Sequence, residues 1–289
     1  MRIGIIRNRG KKKSAYYVEQ LTEEIHRACR RCASAAEQWI VLDDGHFTDA
    51  EIVEQADILV SVGGDGTFLK VAAKALARDI PVFGFNLGTL GLLTEFDQND
   101  LEGTVERLIQ GDYTVEDRRV LHVKIINAAG ETVFSEYALN DCVAARSVLS
   151  KVAYLNLYIN DCIVDTYPCD GLIVATQTGS TAYALSAGGP IVEPGNDVMI
   201  VTPICSHYTD GRAIVAKGSS DIGIRMCIEH PEVYVTVDGH LNYLLQKEDR
   251  IICSLSDKTV KIIRIDPPNF YEALRRKAAE RRERVQHEI

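Results

Sequence analysis

A run of glycines around one aspartate is the feature of the sequence best suited to chemistry. Gly63-Gly64-Asp65-Gly66-Thr67 follows an apolar stretch and precedes a helical pattern. Its glycines let backbone N–H groups approach a ligand closely, and the N-terminus of the following helix favours an anion such as phosphate. A carboxylate in a phosphate cradle repels its guest unless it holds Mg²⁺ or accepts a proton from an attacking hydroxyl, and either role indicates phosphoryl transfer. The alternative is a tight turn in which Asp65 caps the helix.

A cluster of basic residues follows the first apolar strand. It consists of Arg7, Arg9, Lys11, Lys12 and Lys13. Loops at this end of a strand face the ligand in α/β sheets, so we expect some of these side chains, Arg7 and Lys11 to Lys13 among them, to contact the triphosphate of a nucleotide donor. The alternative is a solvated run of charges.

Two polar segments in the second half of the chain also have side chains suited to binding. Asn140-Asp141 ends a strand pattern, and its amide and carboxylate could bind sugar hydroxyls or adenine, although on its own the pair would be interpreted as a turn. The stretch from Thr178 to Ser186 is small and polar at first and then compatible with a helix. Its N–H groups and hydroxyls therefore either line a ligand or cap the helix.

The elements that position the glycine run alternate between strand and helix. Apolar runs predict strands, and spacings of three and four residues predict helices. Thr48-Asp49-Ala50-Glu51 fits a capping box, and Gly111 fits a helix C-terminus. Such alternation predicts a mostly parallel sheet with ligands at the carboxyl ends of its strands. The expected strands are 2–6, 39–42, 58–62 and 81–85, and the expected helices are 18–32, a short one after Thr48, 68–77 and 101–109.

After about Tyr113 the pattern changes to short β-rich runs separated by turn residues such as Ala129-Gly130 and Asn160-Asp161. The sequence predicts an α/β domain over 1–112, an all-β sandwich domain over 113–267, and a helix over 268–289 that returns to the first domain. Expected strands are 120–127, 132–139, 152–159, 163–167, 172–175, 198–202, 222–228, 233–237, 251–255 and 260–265. Pro267-Pro268 ends the β region.

Composition limits the classes of protein that the chain can represent. It has 289 residues and a formal net charge of −9, which argues against a nucleic-acid binder. Its apolar runs are shorter than the roughly 18 residues of a membrane helix, and its first residues do not fit a signal peptide, so we expect a cytoplasmic protein without a membrane partner. We expect the eight cysteines to be reduced and mostly buried, without zinc at Cys29 and Cys32.

Several blocks together resemble one family of kinases. Gly-Gly-Asp-Gly-Thr resembles the motif of NAD kinases and of diacylglycerol and sphingosine kinases, and more loosely that of phosphofructokinases. The block from Phe85 to Thr94 and the block from Asp170 to Tyr183, followed by Ser186 and Gly188-Gly189-Pro190, are similar to NAD kinases specifically. Together with Asn140-Asp141, the resemblance covers about residues 58–190.

The resemblance implies that the chain transfers the γ-phosphoryl group of ATP to the 2′-hydroxyl of the adenosine ribose of NAD. Mg²⁺ would be held mainly by nucleotide phosphates, without a metal site of protein ligands, and the assembly would be a homodimer or homotetramer. Asp65 would take the hydroxyl proton. Thr181, Ala182 and Ser186 would hold the adenine end, and Tyr183 would pack against the dinucleotide. Asp170 would lie near the nicotinamide, across a subunit interface. The implied NAD-binding residues are Asp65, Gly66, Asn140, Asp141, Asp170, Thr181, Ala182, Tyr183 and Ser186, and the phosphate loop contributes Gly63, Gly64, Gly66 and Thr67.

The sequence also departs from the family pattern. Most relatives have Glu where this chain has Asp141, and the segment around Cys205 and His207, up to Arg212, differs enough that no role is inferred for it. Asp238-Gly239 echoes the family and equally fits a hairpin turn. Two rival functions share the phosphate cradle: a lipid or polyol kinase, and a dinucleotide sensor without catalytic activity.

Overall fold

The computed structural model describes residues 1–31, 39–87, 93–94, 100–147, 151–208, 211–227, 232–265 and 269–288. The chain divides into two compact units, the first formed by residues 1–117 and 260–289 and the second by residues 118–259. The helices are α1 (Ser14–Arg31), α2 (Asp49–Gln55), α3 (Asp65–Arg78), α4 (Leu101–Gln110), α5 (Tyr183–Ser186) and α6 (Phe270–Glu288). The strands are β1 (Arg2–Arg7), β2 (Ile40–Leu42), β3 (Ile58–Gly63), β4 (Val82–Asn86), β5 (Thr114–Ile126), β6 (Thr132–Ala138), β7 (Asp141–Arg146), β8 (Ala153–Ile159), β9 (Cys162–Cys169), β10 (Gly171–Thr176), β11 (Val198–Ile204), β12 (Ile214–Lys217), β13 (Asp221–Met226), β14 (Val233–Val237), β15 (Leu241–Leu244) and β16 (Arg250–Arg264).

The first unit is an α/β fold built on a parallel sheet. Its strands lie in the order β2-β1-β3-β4, and the end of β16 continues the sheet in parallel where Ile262 pairs with Val82. All six residues of β3 are buried, as expected for a strand covered on both faces. Because the strands are parallel, the ends of β1, β3 and β4 share one edge of the sheet. The glycine run, the basic cluster and Asn86 therefore begin at the same edge.

Local signals in the sequence fix the helix ends of this unit. Thr48 and Glu51 form the predicted capping box at the start of α2. Gly111 adopts a left-handed conformation (φ 74°) at the end of α4, where a side chain would be strained. Helix α6 also belongs to this unit, and its residue Ala273 is buried.

The second unit is an all-β sandwich, as the sequence predicts. One sheet is antiparallel in the order β12-β11-β10-β7-β14-β15. The other contains β8, β9 and β13, paired antiparallel with residues 250–254 of β16. Side chains from both sheets form one core that includes Leu121, Leu155, Val174 and Ile251.

Several expectations about the elements require correction. The runs 251–255 and 260–265 belong to one continuous strand, β16, since the intervening polar residues do not break an extended chain. Strands β7, β12 and β15 are additional, because they are short or lack a regular apolar alternation. The thiols are not mostly buried: of the seven described cysteines, Cys142, Cys169 and Cys253 are buried, Cys29 is intermediate, and Cys162, Cys205 and Cys227 are exposed. Cys32 and Pro267-Pro268 lie outside the described residues. None of the helices that the structure describes is both long and apolar enough to span a bilayer.

Candidate active site

The glycine run forms the turn between β3 and α3. Gly63 is the last residue of β3, Gly64 is the N-cap, and Asp65 is the first residue of the helix. A Cβ on Gly63 would stand 2.4 Å from Oγ1 of Thr67, so the turn packs too closely for a side chain there. At Gly66, in contrast, no described atom lies within 4 Å of where a Cβ would stand. The first turn of α3 is therefore open beside Asp65, at the helix end whose dipole favours an anion.

Asp65 does not act as a simple helix cap. The cap position belongs to Gly64, and the Asp65 side chain is partly exposed. Its Oδ1 lies 3.5 Å from Oγ1 of Thr94, which can donate a hydrogen bond to it, and its Oδ2 lies 3.6 Å from Nζ of Lys277. The carboxylate is thus in place to accept a proton or to face a cation at the mouth of the turn.

The arginines and the lysines of the basic cluster have different surroundings. Arg7 pairs with Asp44 at 2.9 Å, and Arg9 pairs with both Asp44 and Asp49 at 3.2 Å. These contacts occupy the two arginines beside α2, where they order the loop. Lys11 is exposed, and its Nζ lies 4.0 Å from the position that a Cβ on Gly64 would occupy. The ammonium of Lys11 therefore lies beside the glycine turn. Lys12 and Lys13 are exposed as well.

Asn8 connects the basic loop to the glycine turn. Its Nδ2 donates to Oγ1 of Thr67 at 3.2 Å, and its backbone N–H donates to the carbonyl of Val62. The sequence reasoning missed this residue, although its position immediately after β1 is the signal that singled out Arg7. Asn8 therefore fixes the loop that carries Lys11 against the glycine turn.

In the second unit, Asn140 and Asp141 lie at a buried junction of strands. The backbone N–H groups of Leu139, Asn140 and Asp141 all donate to the carboxylate of Asp238, at 2.8, 2.8 and 3.1 Å. Asp238 has a φ of 46° in the turn between β14 and β15, which confirms the hairpin reading of Asp238-Gly239. Its carboxylate, rather than the turn alone, positions Asn140 and Asp141.

The two buried carboxyls of this junction have altered acidity. Burial, reinforced by the charge of Asp238, raises the pKa of Asp141 to about 7. Burial also raises the pKa of Asp238, although its three backbone donors and His240 act in the opposite direction. At neutral pH, Asp141 is therefore able to donate as well as accept a hydrogen bond.

The segment after β10 packs directly against Asn140. Gly179 begins a short 3₁₀ turn, and a Cβ on it would stand 2.1 Å from the carbonyl oxygen of Asn140. The hydroxyls of Ser180 and Thr181 are engaged with backbone carbonyls within their own turn, those of Gln177 and Thr178. The structure thus brings the predicted residues Asn140, Asp141 and Thr181 together.

The neighbouring residues are placed for contact from outside. Ala182 is half-buried, whereas Tyr183 and Ser186 on α5 are exposed, Tyr183 at 46%. An exposed aromatic ring beside a close-packed polar turn fits a surface that stacks on a planar ligand.

Asp170 lies at the opposite end of β10 from this group. Asp141 pairs with Ala175 near the end of β10, while Asp170 precedes the strand and bonds to Arg146 at 2.7 Å. Six residues of strand separate the two ends by about 20 Å. Within one chain, Asp170 is therefore not brought to Asn140 and Thr181. Cys205 and His207 are exposed and follow the end of β11 beside Asp170, since the backbone N–H of Asp170 donates to the carbonyl of Ile204 and that of His207 donates to the carbonyl of Pro168. Residues 88–92 and 209–210 lie outside the described residues.

These features define the class of protein: an α/β unit with a glycine-rich turn between a buried strand and a helix, and an all-β unit with a polar junction at Asn140 and Asp141. The ATP-NAD kinase N-terminal domain matches residues 7–113, and the ATP-NAD kinase C-terminal domain matches residues 139–265.

Individual relatives agree with these matches. NAD kinases of Acetivibrio thermocellus and Ruminiclostridium cellulolyticum are each 38% identical to this chain, over 98% of it and 99% of the relative. Among solved structures, an NAD kinase from Archaeoglobus fulgidus in complex with ATP superposes with a TM-score of 0.75 at 26% identity, over 96% of this chain and 99% of the other. Yeast NADH kinase complexed with NADH has the same fold, with a TM-score of 0.82 at 22% identity over 95% of this chain and 86% of the other.

The chain therefore belongs to the ATP-NAD kinase family, and its function is NAD kinase activity. The predicted family and the predicted fold class, an α/β domain followed by an all-β domain, are confirmed.

Proposed function

We propose that this kinase transfers the γ-phosphoryl group of ATP to the 2′-hydroxyl of the adenosine ribose of NAD, giving NADP and ADP, with Asp65 as proton acceptor. The observation that carries the proposal is the position of Asp65. It is the first residue of α3, partly exposed, and adjacent to the open position at Gly66. A base at this point can take the hydroxyl proton while the helix N-terminus attracts the phosphates.

The proposed roles of the other residues follow from their surroundings. Gly63, Gly64, Gly66 and Thr67 form the phosphate turn, and Lys11 is the cation of the basic cluster best placed to add charge to it. Lys12 and Lys13 are proposed to contact the phosphates only because they are adjacent to Lys11 in the sequence. The guanidinium of Arg7 pairs with Asp44 and so helps to hold the loop. Neutralising charge and aligning the two substrates supply most of the acceleration in phosphoryl transfer.

NAD is proposed to bind the residues gathered around Asn140. Asn140 and Asp141 offer hydrogen bonds to sugar or adenine, and Thr181, Ala182, Tyr183 and Ser186 offer backbone groups and an aromatic ring. Asp170, at the far end of β10, fits the expectation that it serves a dinucleotide held by a neighbouring subunit. A homodimer or homotetramer and a cytoplasmic location remain predictions from the sequence.

Mg²⁺ fits the site as an ion carried by the nucleotide. Among the described residues, no cluster of three His, Cys, Asp or Glu side chains would hold a metal by itself. Mg²⁺ commonly binds substrate phosphates together with only one or two carboxylates, so the phosphates of the nucleotide would supply most of its ligands here. When bound, the ion would neutralise phosphate charge.

The activity is tested by incubating the purified protein with NAD, ATP and Mg²⁺ and measuring NADP. A lipid or polyol kinase would phosphorylate those alcohols instead, and a sensor would bind NAD without forming NADP. Formation of NADP that requires both substrates is expected, and its absence with intact NAD binding would favour the sensor.

The role of Asp65 is tested by Asp65→Asn. We expect a normal fold and a loss of kcat of about 10²- to 10⁴-fold, because the amide cannot accept the proton. Asp79→Asn, at the opposite end of α3, is the matched control: Asp79 has a φ of 53°, which asparagine tolerates. Thermal unfolding checks the fold of both variants, and near-normal turnover of Asp65→Asn would remove Asp65 from the mechanism.

A further inference from the structure

The C-terminal helix carries a lysine to the carboxylate of Asp65. On α6, Ala273 is buried, and Lys277 lies one turn further along the same face. The Nζ of Lys277 lies 3.6 Å from Oδ2 of Asp65, and the lysine side chain is 22% exposed. The neighbouring Arg275 and Arg276 are exposed. Among these three consecutive basic residues, Lys277 is the one directed at the glycine turn.

The two oxygens of Asp65 have separate partners of different kinds. Oδ1 lies 3.5 Å from the hydroxyl of Thr94, a residue that is only 1% exposed and so is fixed in the core. Oδ2 faces the ammonium of Lys277, at the end of a four-carbon stem. One oxygen therefore faces a hydroxyl that is held in the core of the unit, and the other faces a cation carried by the C-terminal helix.

The ion pair is too exposed to be justified by stability. The Asp65 side chain is 33% exposed, and solvent-exposed ion pairs contribute little to stability. A base, however, must lie within about 2.6–3.2 Å of the proton that it takes, so small changes in its orientation affect the rate. The contact between Lys277 and Asp65 therefore matters more for the orientation of the carboxylate than for the stability of the fold.

We infer that Lys277 is a positioning residue for Asp65, holding the carboxylate in the direction from which it takes the ribose proton. The inference rests on the proposed function of Asp65. It assigns a role in the reaction to the C-terminal helix, which lies outside the residues matched by either family domain.

The test compares Lys277→Met, which keeps the apolar stem and removes the charge, with Lys277→Arg, which keeps the charge. We expect Lys277→Met to lower kcat about 10-fold while KM for ATP and for NAD changes less than about twofold, since the orientation of the base is lost and not substrate binding. We expect Lys277→Arg to retain most of the wild-type kcat, because it keeps the positive charge. Arg276→Met, the exposed neighbour, is the matched control and leaves kcat unchanged.

A double-variant cycle then asks whether Lys277 acts through Asp65. In an Asp65→Asn background, Lys277→Met is expected to cause no further loss, because the carboxylate that it positions is gone. Independent, additive losses would overturn the inference.

The remaining outcomes also discriminate. Unchanged kcat in Lys277→Met, or a rise in KM for ATP alone, overturns the positioning role, and the latter would indicate a phosphate contact. A fall in thermal stability that accompanies the fall in kcat and is not restored by Lys277→Arg indicates a structural role and overturns it too. Failure of the proposed function is seen separately, as near-normal kcat in Asp65→Asn.

Discussion

At the scale of single residues, the second unit depends on two carboxyls with different tasks. Asp238 accepts three consecutive backbone N–H groups and so determines where Asn140 and Asp141 lie. Asp141 is buried, with 6% of its surface exposed. The single methylene group of the Asp141 side chain keeps this carboxyl close to its strand and to the charge of Asp238.

The acidity of Asp141 predicts a pH dependence of stability. Its pKa in the folded protein is about 7, compared with an ordinary value of 3.8, so the folded state binds the proton more tightly than the unfolded state. The sign follows from linkage: its contribution to the free energy of unfolding is complete at low pH and is lost as the pH rises through about 7. Between pH 5 and pH 8, the loss amounts to about 2–3 kcal/mol.

Denaturant unfolding of the wild type and of Asp141→Asn at several pH values measures this effect. Asn cannot ionise, so we expect the variant to gain stability relative to the wild type as the pH rises, although Asp238 contributes in the same direction and keeps some dependence in both. Asp170→Asn, at the other end of β10, serves as the control. A difference between Asp141→Asn and the wild type that does not vary with pH would contradict the prediction.

Residue types and spacing predict only part of the candidate site. Gly-Gly-Asp-Gly-Thr and Asn140-Asp141 can be recognised from the sequence because the residues that would bind a ligand are adjacent in it. Lys277 could not be found this way, since it is 212 positions away from Asp65 in the sequence and stands in a helix of many basic residues. Its one signal was its spacing of four residues from Ala273. The separation of Asp170 from Asn140 likewise depends on strand pairing that no local pattern specifies.

At the scale of elements, we predict that the phosphates of ATP bind against the first turn of α3. A side chain at Gly66 would meet no described atom of the protein within 4 Å, and Gly66 is not in the left-handed region. Gly66→Ala should therefore leave thermal stability unchanged or slightly raised, because alanine is the better helix former by up to about 1 kcal/mol.

The same substitution should raise KM for ATP about 10-fold and leave KM for NAD nearly unchanged, since the added methyl group keeps phosphate from the backbone N–H groups. Steady-state kinetics with each substrate varied in turn checks this. If KM for ATP is unchanged, the phosphates do not pass over Gly66.

The elements themselves were predicted best where short-range chemistry specifies them. The capping box at Thr48 and the turn at Asn160-Asp161, where both residues have positive φ, confirm local predictions. The sequence pattern divides strand β16 in two because a polar stretch interrupts its apolar residues, whereas the strand pairs with β13 before that stretch and with β4 after it. Local patterns record which residues are apolar, and pairing across the sheet is decided by distant parts of the chain.

At the scale of the whole molecule, the order of the chain makes one unit continuous and the other discontinuous. Residues 118–259 form the all-β unit in a single stretch, while the α/β unit joins residues 1–117 to residues 260–289. The second piece is not peripheral to the α/β unit. Ile263 and Ile265 are 1% and 8% exposed and belong to the same core as Val60 and Phe83.

This arrangement predicts unequal folding of fragments. Burying each of the two isoleucines contributes about 1.5–3 kcal/mol, a large share of a typical stability of about 5–15 kcal/mol. A fragment of residues 1–117 should therefore lack a cooperative thermal transition, whereas residues 118–259, which contain their own core, should show one. Because β5 and β16 are neighbouring strands, joining residues 1–117 to 260–289 through a short Gly/Ser linker should restore the transition. Circular dichroism against temperature measures all three fragments, and cooperative unfolding of residues 1–117 alone would show that the returning strand is dispensable.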